Sequence, residues 1–185
     1  SWTAAWVDFC TGYGSIFVRS FDSQDEPLAP ASPVTDGYGL FSFDVNAEQV
    51  TEPFRATLGG GRSILAWVDS REGHPEIRAA LVDEDGLVDG PIVVSEEGSY
   101  RTMRAPHIAI SGSHALIVWT EGDSPIRKVR GQVLTASLEP LFSNFSLDPQ
   151  GEDVQSNPKA VASSSGWVVA WSGESQDPAR IFVRP

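Results

Sequence analysis

One pattern constrains this chain more than any other: a short apolar run ending in tryptophan is written four times. Trp2-Thr3-Ala4-Ala5-Trp6-Val7-Asp8, Ser63-Ile64-Leu65-Ala66-Trp67-Val68-Asp69, Ala115-Leu116-Ile117-Val118-Trp119-Thr120-Glu121 and Trp167-Val168-Val169-Ala170-Trp171-Ser172-Gly173 align on their last tryptophan, and each leads into a polar loop. Trp6, Trp67, Trp119 and Trp171 stand 61, 52 and 52 residues apart. Ten residues past each of them a β-branched residue opens a second apolar run: Ile16, Ile77, Val129 and Ile181. Such a period is too long for ankyrin or leucine-rich repeats and has the length of a four-stranded unit.

The other two strands of the unit are marked by proline. Pro53-Phe54-Arg55-Ala56-Thr57, Pro106-His107-Ile108-Ala109-Ile110 and Pro158-Lys159-Ala160-Val161-Ala162 precede the tryptophan runs. Proline is tolerated at a strand's first residue, where its missing N–H is not needed. Small-residue turns such as Gly59-Gly60-Gly61 and Ser111-Gly112-Ser113 then predict tight hairpins. A fourth strand is expected near Pro27-Leu28, Pro91-Ile92-Val93-Val94 and Pro140-Leu141-Phe142.

No segment carries a sustained 3.6-residue apolar period, and the short runs rich in Val, Ile, Trp and Phe are strand signals. The expected fold is all-β: propeller-type repeats of four antiparallel strands, about three and a half blades, with both faces of each blade apolar. Residues 1–185 read as one propeller segment, with repeats at approximately 1–52, 53–105, 106–157 and 158–185. The first repeat offers strands two to four and the last offers strands one to three. That predicts a segment of a longer propeller; a four-bladed ring with two three-stranded blades is the alternative. The inserted Asp36-Gly37-Tyr38-Gly39-Leu40-Phe41-Ser42-Phe43 stretch is expected to be an extra strand or a surface loop.

A net charge of −12 argues against nucleic acid as a partner, because phosphates would be repelled. The single cysteine, Cys10, makes no intrachain disulfide and no thiolate zinc cluster. No apolar run reaches the ~20 residues of a membrane-spanning helix. The chain does not open with a basic region followed by an apolar one, so no signal peptide is expected within it.

The Pro-led strand, the small-residue turn, the strand ending Val118-Trp119-Thr120-Glu121 or Ala66-Trp67-Val68-Asp69 and the following Val129-Arg130-Gly131-Gln132-Val133-Leu134 resemble the degenerate propeller repeats of large secreted or surface bacterial proteins. The resemblance covers nearly the whole chain and concerns architecture. The Gly-His…Trp-Asp pairing of WD40 repeats, the Ser-x-Asp-x-Gly-x-x-Trp box of sialidases and the Asp-x-Asp-x-Asp-Gly loop of integrins are all missing. The resemblance implies a binding or scaffold module at the cell surface or outside the cell.

Propeller loops that join second to third strands emerge on the face where such folds bind. Here they carry Asp8 and Tyr13, then Asp69, Glu72 and His74, then Glu121 and Asp123, and these seven are the candidate ligand-binding residues. An acid stands two residues past the tryptophan in three repeats, as Asp8, Asp69 and Glu121. It can form a ring that binds a cation, a sugar hydroxyl or a basic side chain, or it can cap its own loop's N–H groups. His74 beside Glu72 suits acid–base work, and His107 falls on an inner strand near the central channel. His74, His107 and His114 lack metal-binding spacing. Asp83-Glu84-Asp85-Gly86-Leu87-Val88-Asp89 does not fit an EF-hand and reads as a turn. Asn144-Phe145-Ser146 matches a glycosylation acceptor by three residues only.

No catalytic residue, metal or cofactor is expected from these patterns. The leading expectation is a non-enzymatic module for protein–protein interaction, whose partner is another protein or the remainder of a longer propeller. The alternatives are a carbohydrate-binding propeller, for which Tyr13, Tyr38 and Phe41 would supply exposed aromatics, and a part of a glycoside-hydrolase-type propeller. In the last, Asp8, Asp69 and Glu121 are the first carboxylates to test.

Overall fold

The computed structural model describes residues 1–9, 14–35, 53–71, 73–96, 102–123, 125–149, 154–173 and 180–185. They form fourteen strands and, among the described residues, no α-helix. The first sheet holds β1 (Trp2–Asp8), β2 (Ser15–Phe21) and β3 (Ser32–Pro33). The second holds β4 (Phe54–Gly59), β5 (Arg62–Asp69), β6 (Glu76–Asp83) and β7 (Gly86–Val93). The third holds β8 (Met103–Ser111), β9 (His114–Glu121), β10 (Lys128–Thr135) and β11 (Phe145–Ser146). The last holds β12 (Gln155–Ser163), β13 (Gly166–Gly173) and β14 (Arg180–Arg184). Every sheet is an antiparallel meander in chain order, as the fourfold repeat predicts. This is the all-β propeller-type architecture, with a three-stranded sheet at either end.

Side-chain alternation explains why both faces of a blade are apolar. Along β5, Leu65 and Trp67 pack with Ile16 and Val18 of the first sheet, while Ile64, Ala66 and Val68 pack with Ile108, Ile117 and Trp119 of the third. Trp171 in turn packs with Val118 and Val129 of the third sheet. Each of these three tryptophans therefore faces the preceding blade, and Trp67 and Trp119 are fully buried. The corresponding face of the first sheet carries Trp6 stacked on Phe17 (6.1 Å) and Trp2 on Phe21 (4.3 Å). At the other end, Val161, Ile181 and Val183 stand exposed on the last sheet.

Two expectations about proline are corrected. Pro106 and Pro158 lie inside β8 and β12, not at their starts. Both strands shift register there, between Arg104 and His107 and between Ser156 and Lys159, and Ala105 and Asn157 have positive φ (49° and 52°). A bulge leaves one residue out of the ladder, so a proline fits inside the strand. Pro27 and Pro140 make only single bridges, to Phe21 and Leu134; the short outer strands follow a few residues later, as β3 and β11.

A repeated hydrogen bond ties each outer strand back. The N–H groups of Val34, Val94 and Leu147 donate to the carbonyls of Ile16, Ile77 and Val129. The N–H of Ile16 is received by Thr35 Oγ1 and that of Ile77 by Ser95 Oγ. In the third sheet that acceptor is Gln155 Oε1, from the following blade, at 3.0 Å from the Val129 nitrogen.

Candidate functional site

Two clusters emerge. The first lies at the β5–β6 loop, where alternation puts Trp67 and Asp69 on one face of β5 and cross-strand pairing sets Arg78 and Glu76 opposite them. Asp69 Oδ1 accepts from the Arg71 backbone N–H (3.1 Å) and Nε (3.0 Å), and Oδ2 accepts from Arg71 Nη2 (2.7 Å) and Trp67 Nε1 (3.4 Å). Arg78 donates to Glu76 Oε2 through Nε (3.1 Å) and Nη2 (2.9 Å), and His74 Nε2 lies 3.0 Å from Glu76 Oε1. Asp69, Arg71 and Glu76 are all buried. Burial pushes the Asp69 carboxyl up, but the Arg71 hydrogen bonds and the Arg71 and Arg78 charges outweigh it and hold the group below its ordinary range.

The pairing of a buried acid with an arginine recurs in the third sheet, where Glu121 has Arg130 Nε at 3.5 Å. Arg78 and Arg130 both stand eleven residues past their blade's tryptophan and pair with it across the ladder. In the first and last sheets that position is Phe17 and Phe182, each stacked on its tryptophan. Asp8 sits half-buried on the open face of the first sheet, opposite Ser15. Asp123 is exposed; it accepts from Thr102 Oγ1 (2.7 Å) and Arg104 Nη2 (3.1 Å). So Asp69 and His74 share one charged network, while Glu121 and Asp123 each have their own basic partner. Tyr13 and Glu72, like Cys10, Tyr38 and Phe41, lie outside the described residues.

The second cluster was only partly visible in the sequence. Phe54, His107 and Lys159 each follow the proline of an inner strand, and each pairs with the residue just before its blade's tryptophan: Ala66, Val118 and Ala170. This common register brings three blades to one place. The Phe54 and His107 rings are 5.3 Å apart, Lys159 Nζ stands 4.8 Å from the Phe54 ring centroid, and His107 Nδ1 accepts from the Ala160 N–H at 3.3 Å. Burial, then the Lys159 charge, lowers the His107 pKa, which favours the neutral ring. With Nδ1 accepting, the proton of that ring is on Nε2. The signal available in the sequence was the residue after each proline, whose three different chemistries concealed a common position.

Other motifs have local roles. Asp83 Oδ1 accepts from the Asp85 N–H at 2.9 Å, so the acidic stretch is a turn. The Asn144 side-chain nitrogen donates to the Val94 carbonyl at 3.1 Å. His114 opens β9 opposite Ser111. A cleft of about 600 Å³ lies between the third and last sheets, lined by Phe142, Phe145, Trp167 and Arg184 among others. Among the described residues no three His, Cys, Asp or Glu side chains are grouped to hold a metal ion, and no helix is long and apolar enough to cross a membrane.

The four meander sheets define a chain of the β-propeller type, and comparison with solved structures places it beside glycoside hydrolases. An endo-arabinase from Bacteroides thetaiotaomicron VPI-5482 is similar over 99% of this chain and 70% of its own, with a TM-score of 0.51 and 13% identity. A GH32 β-fructofuranosidase from Bombyx mori is similar over 93% of this chain and 40% of its own, with a TM-score of 0.52 and 9% identity. An exo-1,5-α-L-arabinanase from a bovine ruminal metagenomic library has a TM-score of 0.48 and 11% identity over 92% of this chain and 64% of its own. No protein-family model and no curated protein matches the chain. At these identities the likeness is one of fold.

The expectation of a non-enzyme is corrected by these neighbours: the fold is an enzyme-type fold, shared with glycoside hydrolases. The sequence holds no contiguous catalytic motif. That lack carries no weight in a propeller, where side chains from different blades can meet, as Phe54, His107 and Lys159 do.

Proposed function

We propose that this chain is part of a glycoside-hydrolase-type propeller acting on carbohydrate in an extracellular or cell-surface setting. The observation that carries this reading is the meeting of Phe54, His107 and Lys159 on the inner strands of three blades. An aromatic ring beside hydrogen-bonding and charged groups suits a sugar, whose C–H faces stack and whose hydroxyls need polar partners. The glycoside hydrolases of similar fold support it further.

Glycoside hydrolysis needs two carboxyl groups, one ionised and one able to give a proton. Asp69, held below its ordinary range by Arg71, suits the ionised role; Glu121 lies beside Arg130, and Asp8 and Asp123 are the more accessible carboxyls. Tyr13, Glu72 and His74, which the sequence puts in the same loops, complete the proposed binding set. The repeated blade interface also supports a structural partner: the Trp6 face and the Val161–Val183 face fit further blades of the same kind, from another protein or from the remainder of a longer propeller.

The test is direct. The purified chain is incubated with arabinan, β-fructan and acidic polysaccharides, and both reducing-sugar release and binding by calorimetry are measured. Binding or release that weakens in Asp8→Ala, Asp69→Asn or Glu121→Gln supports the reading. Neither binding nor release with any polysaccharide removes it.

A further inference from the structure

We infer that the cluster of Phe54, His107 and Lys159 receives the carboxylate of an acidic sugar, a uronate-type residue, with Lys159 as the charge partner. The inference rests on the carbohydrate reading above and deepens it. Its first support is charge. The chain has 25 acidic residues against 13 basic ones, and only two lysines, Lys128 and Lys159. One of the two stands at this inner position, exposed, and among the described residues no carboxylate is paired with it.

The second support is the holding of that ammonium. The ammonium stands 4.8 Å from the Phe54 ring centroid, a contact that positions a cation without neutralising it. A carboxylate arriving from solvent would find the ammonium pre-placed and would make a charge-assisted hydrogen bond with it.

The third support is His107. Held neutral, with Nδ1 occupied by the Ala160 N–H, it presents Nε2–H as a donor. Lys159 and His107 thus both offer protons, and Phe54, about one-third exposed, offers an apolar edge to the C–H groups of a sugar ring. A donor-rich, cation-bearing cluster fits a negatively charged, acceptor-rich ring better than a neutral one.

Calorimetry of the full chain decides it, with a tri-galacturonate, a neutral oligosaccharide of equal length and inorganic phosphate as probes. The expected result is at least tenfold tighter binding of the galacturonate than of the neutral sugar. Lys159→Met should lower galacturonate affinity about tenfold and leave the neutral sugar unaffected, and Lys159→Arg should restore most of it. Ligand-induced shifts of the His107 ring resonances should accompany binding, which Phe54→Leu weakens without removing. Equal affinity for both sugars, unchanged in Lys159→Met, overturns the inference and leaves the carbohydrate reading standing. Phosphate competing as well as galacturonate makes this a general anion site and overturns it too. No binding of either sugar removes both.

Discussion

Asp69 and Arg71, both buried, are locked together by the Arg71 backbone N–H and Nε donating to Oδ1 and by Nε and Nη2 donating to Oδ2, the last at 2.7 Å. A planar guanidinium matched to a carboxylate holds geometry as well as charge. Asp69→Ala would strip Arg71, 8% exposed, of the carboxylate that its guanidinium and its backbone N–H both hold. We expect a loss of about 3–5 kcal/mol, read from urea denaturation, and a smaller loss for the double variant Asp69→Ala/Arg71→Met. If Asp69→Ala alone costs nothing, this network does not organise the loop.

The pH dependence follows from two shifts. Asp69 in the folded chain lies below its ordinary value of 3.8, so its contribution is complete above about pH 4 and is lost as pH falls through the folded value. His107 lies below its ordinary value of 6.5, so the unfolded chain takes the proton first. Its contribution is complete above about pH 6.5 and declines as pH falls from there through the folded value. Melting temperatures from pH 8 to pH 3 should therefore fall in two stages, with the upper stage missing in His107→Gln and the lower one reduced in Asp69→Asn.

The tryptophans should separate by environment. Trp67, fully buried between the first two sheets, should cost about 3–5 kcal/mol when replaced by alanine. Trp6, at the same repeat position but on an open face against Phe17, should cost about 1 kcal/mol. Thermal melts of the two variants make the comparison, and equal losses would mean that the first sheet's face is covered in solution.

Gln155 should act as a pin between blades. It is 1% exposed, accepts the Val129 N–H and donates to the Asp148 carbonyl. Gln155→Leu keeps much of the volume and removes both bonds, leaving a buried donor and acceptor unmet, for a loss of about 1–3 kcal/mol. Amide exchange should quicken at Val129 first, and an unchanged rate there would count against the pin.

The architecture was legible because a buried sheet stamps its period on the chain. Trp6, Trp67, Trp119 and Trp171 recur since each blade must fill the same gap, and ten residues more bring the neighbouring strand into the same layer. The prolines were less legible: Pro53 precedes its strand while Pro106 and Pro158 sit inside theirs, and only the bulges at Ala105 and Asn157 reconcile the latter with the ladder. The acid two residues past the tryptophan was also visible, but not its partner. Arg71 is local to Asp69, whereas Arg78 and Arg130 come into range through strand pairing.

By itself the sequence determined the repeat, the strand order and which faces are apolar, because those follow from side-chain alternation and a constant spacing along one chain. The tertiary structure decided which polar groups meet: Arg130 beside Glu121, Gln155 beneath Val129, Lys159 over Phe54. Arg130 meets Glu121 through the pairing of neighbouring strands, and the other two pairs depend on how sheets stack, neither of which a local pattern of residues encodes.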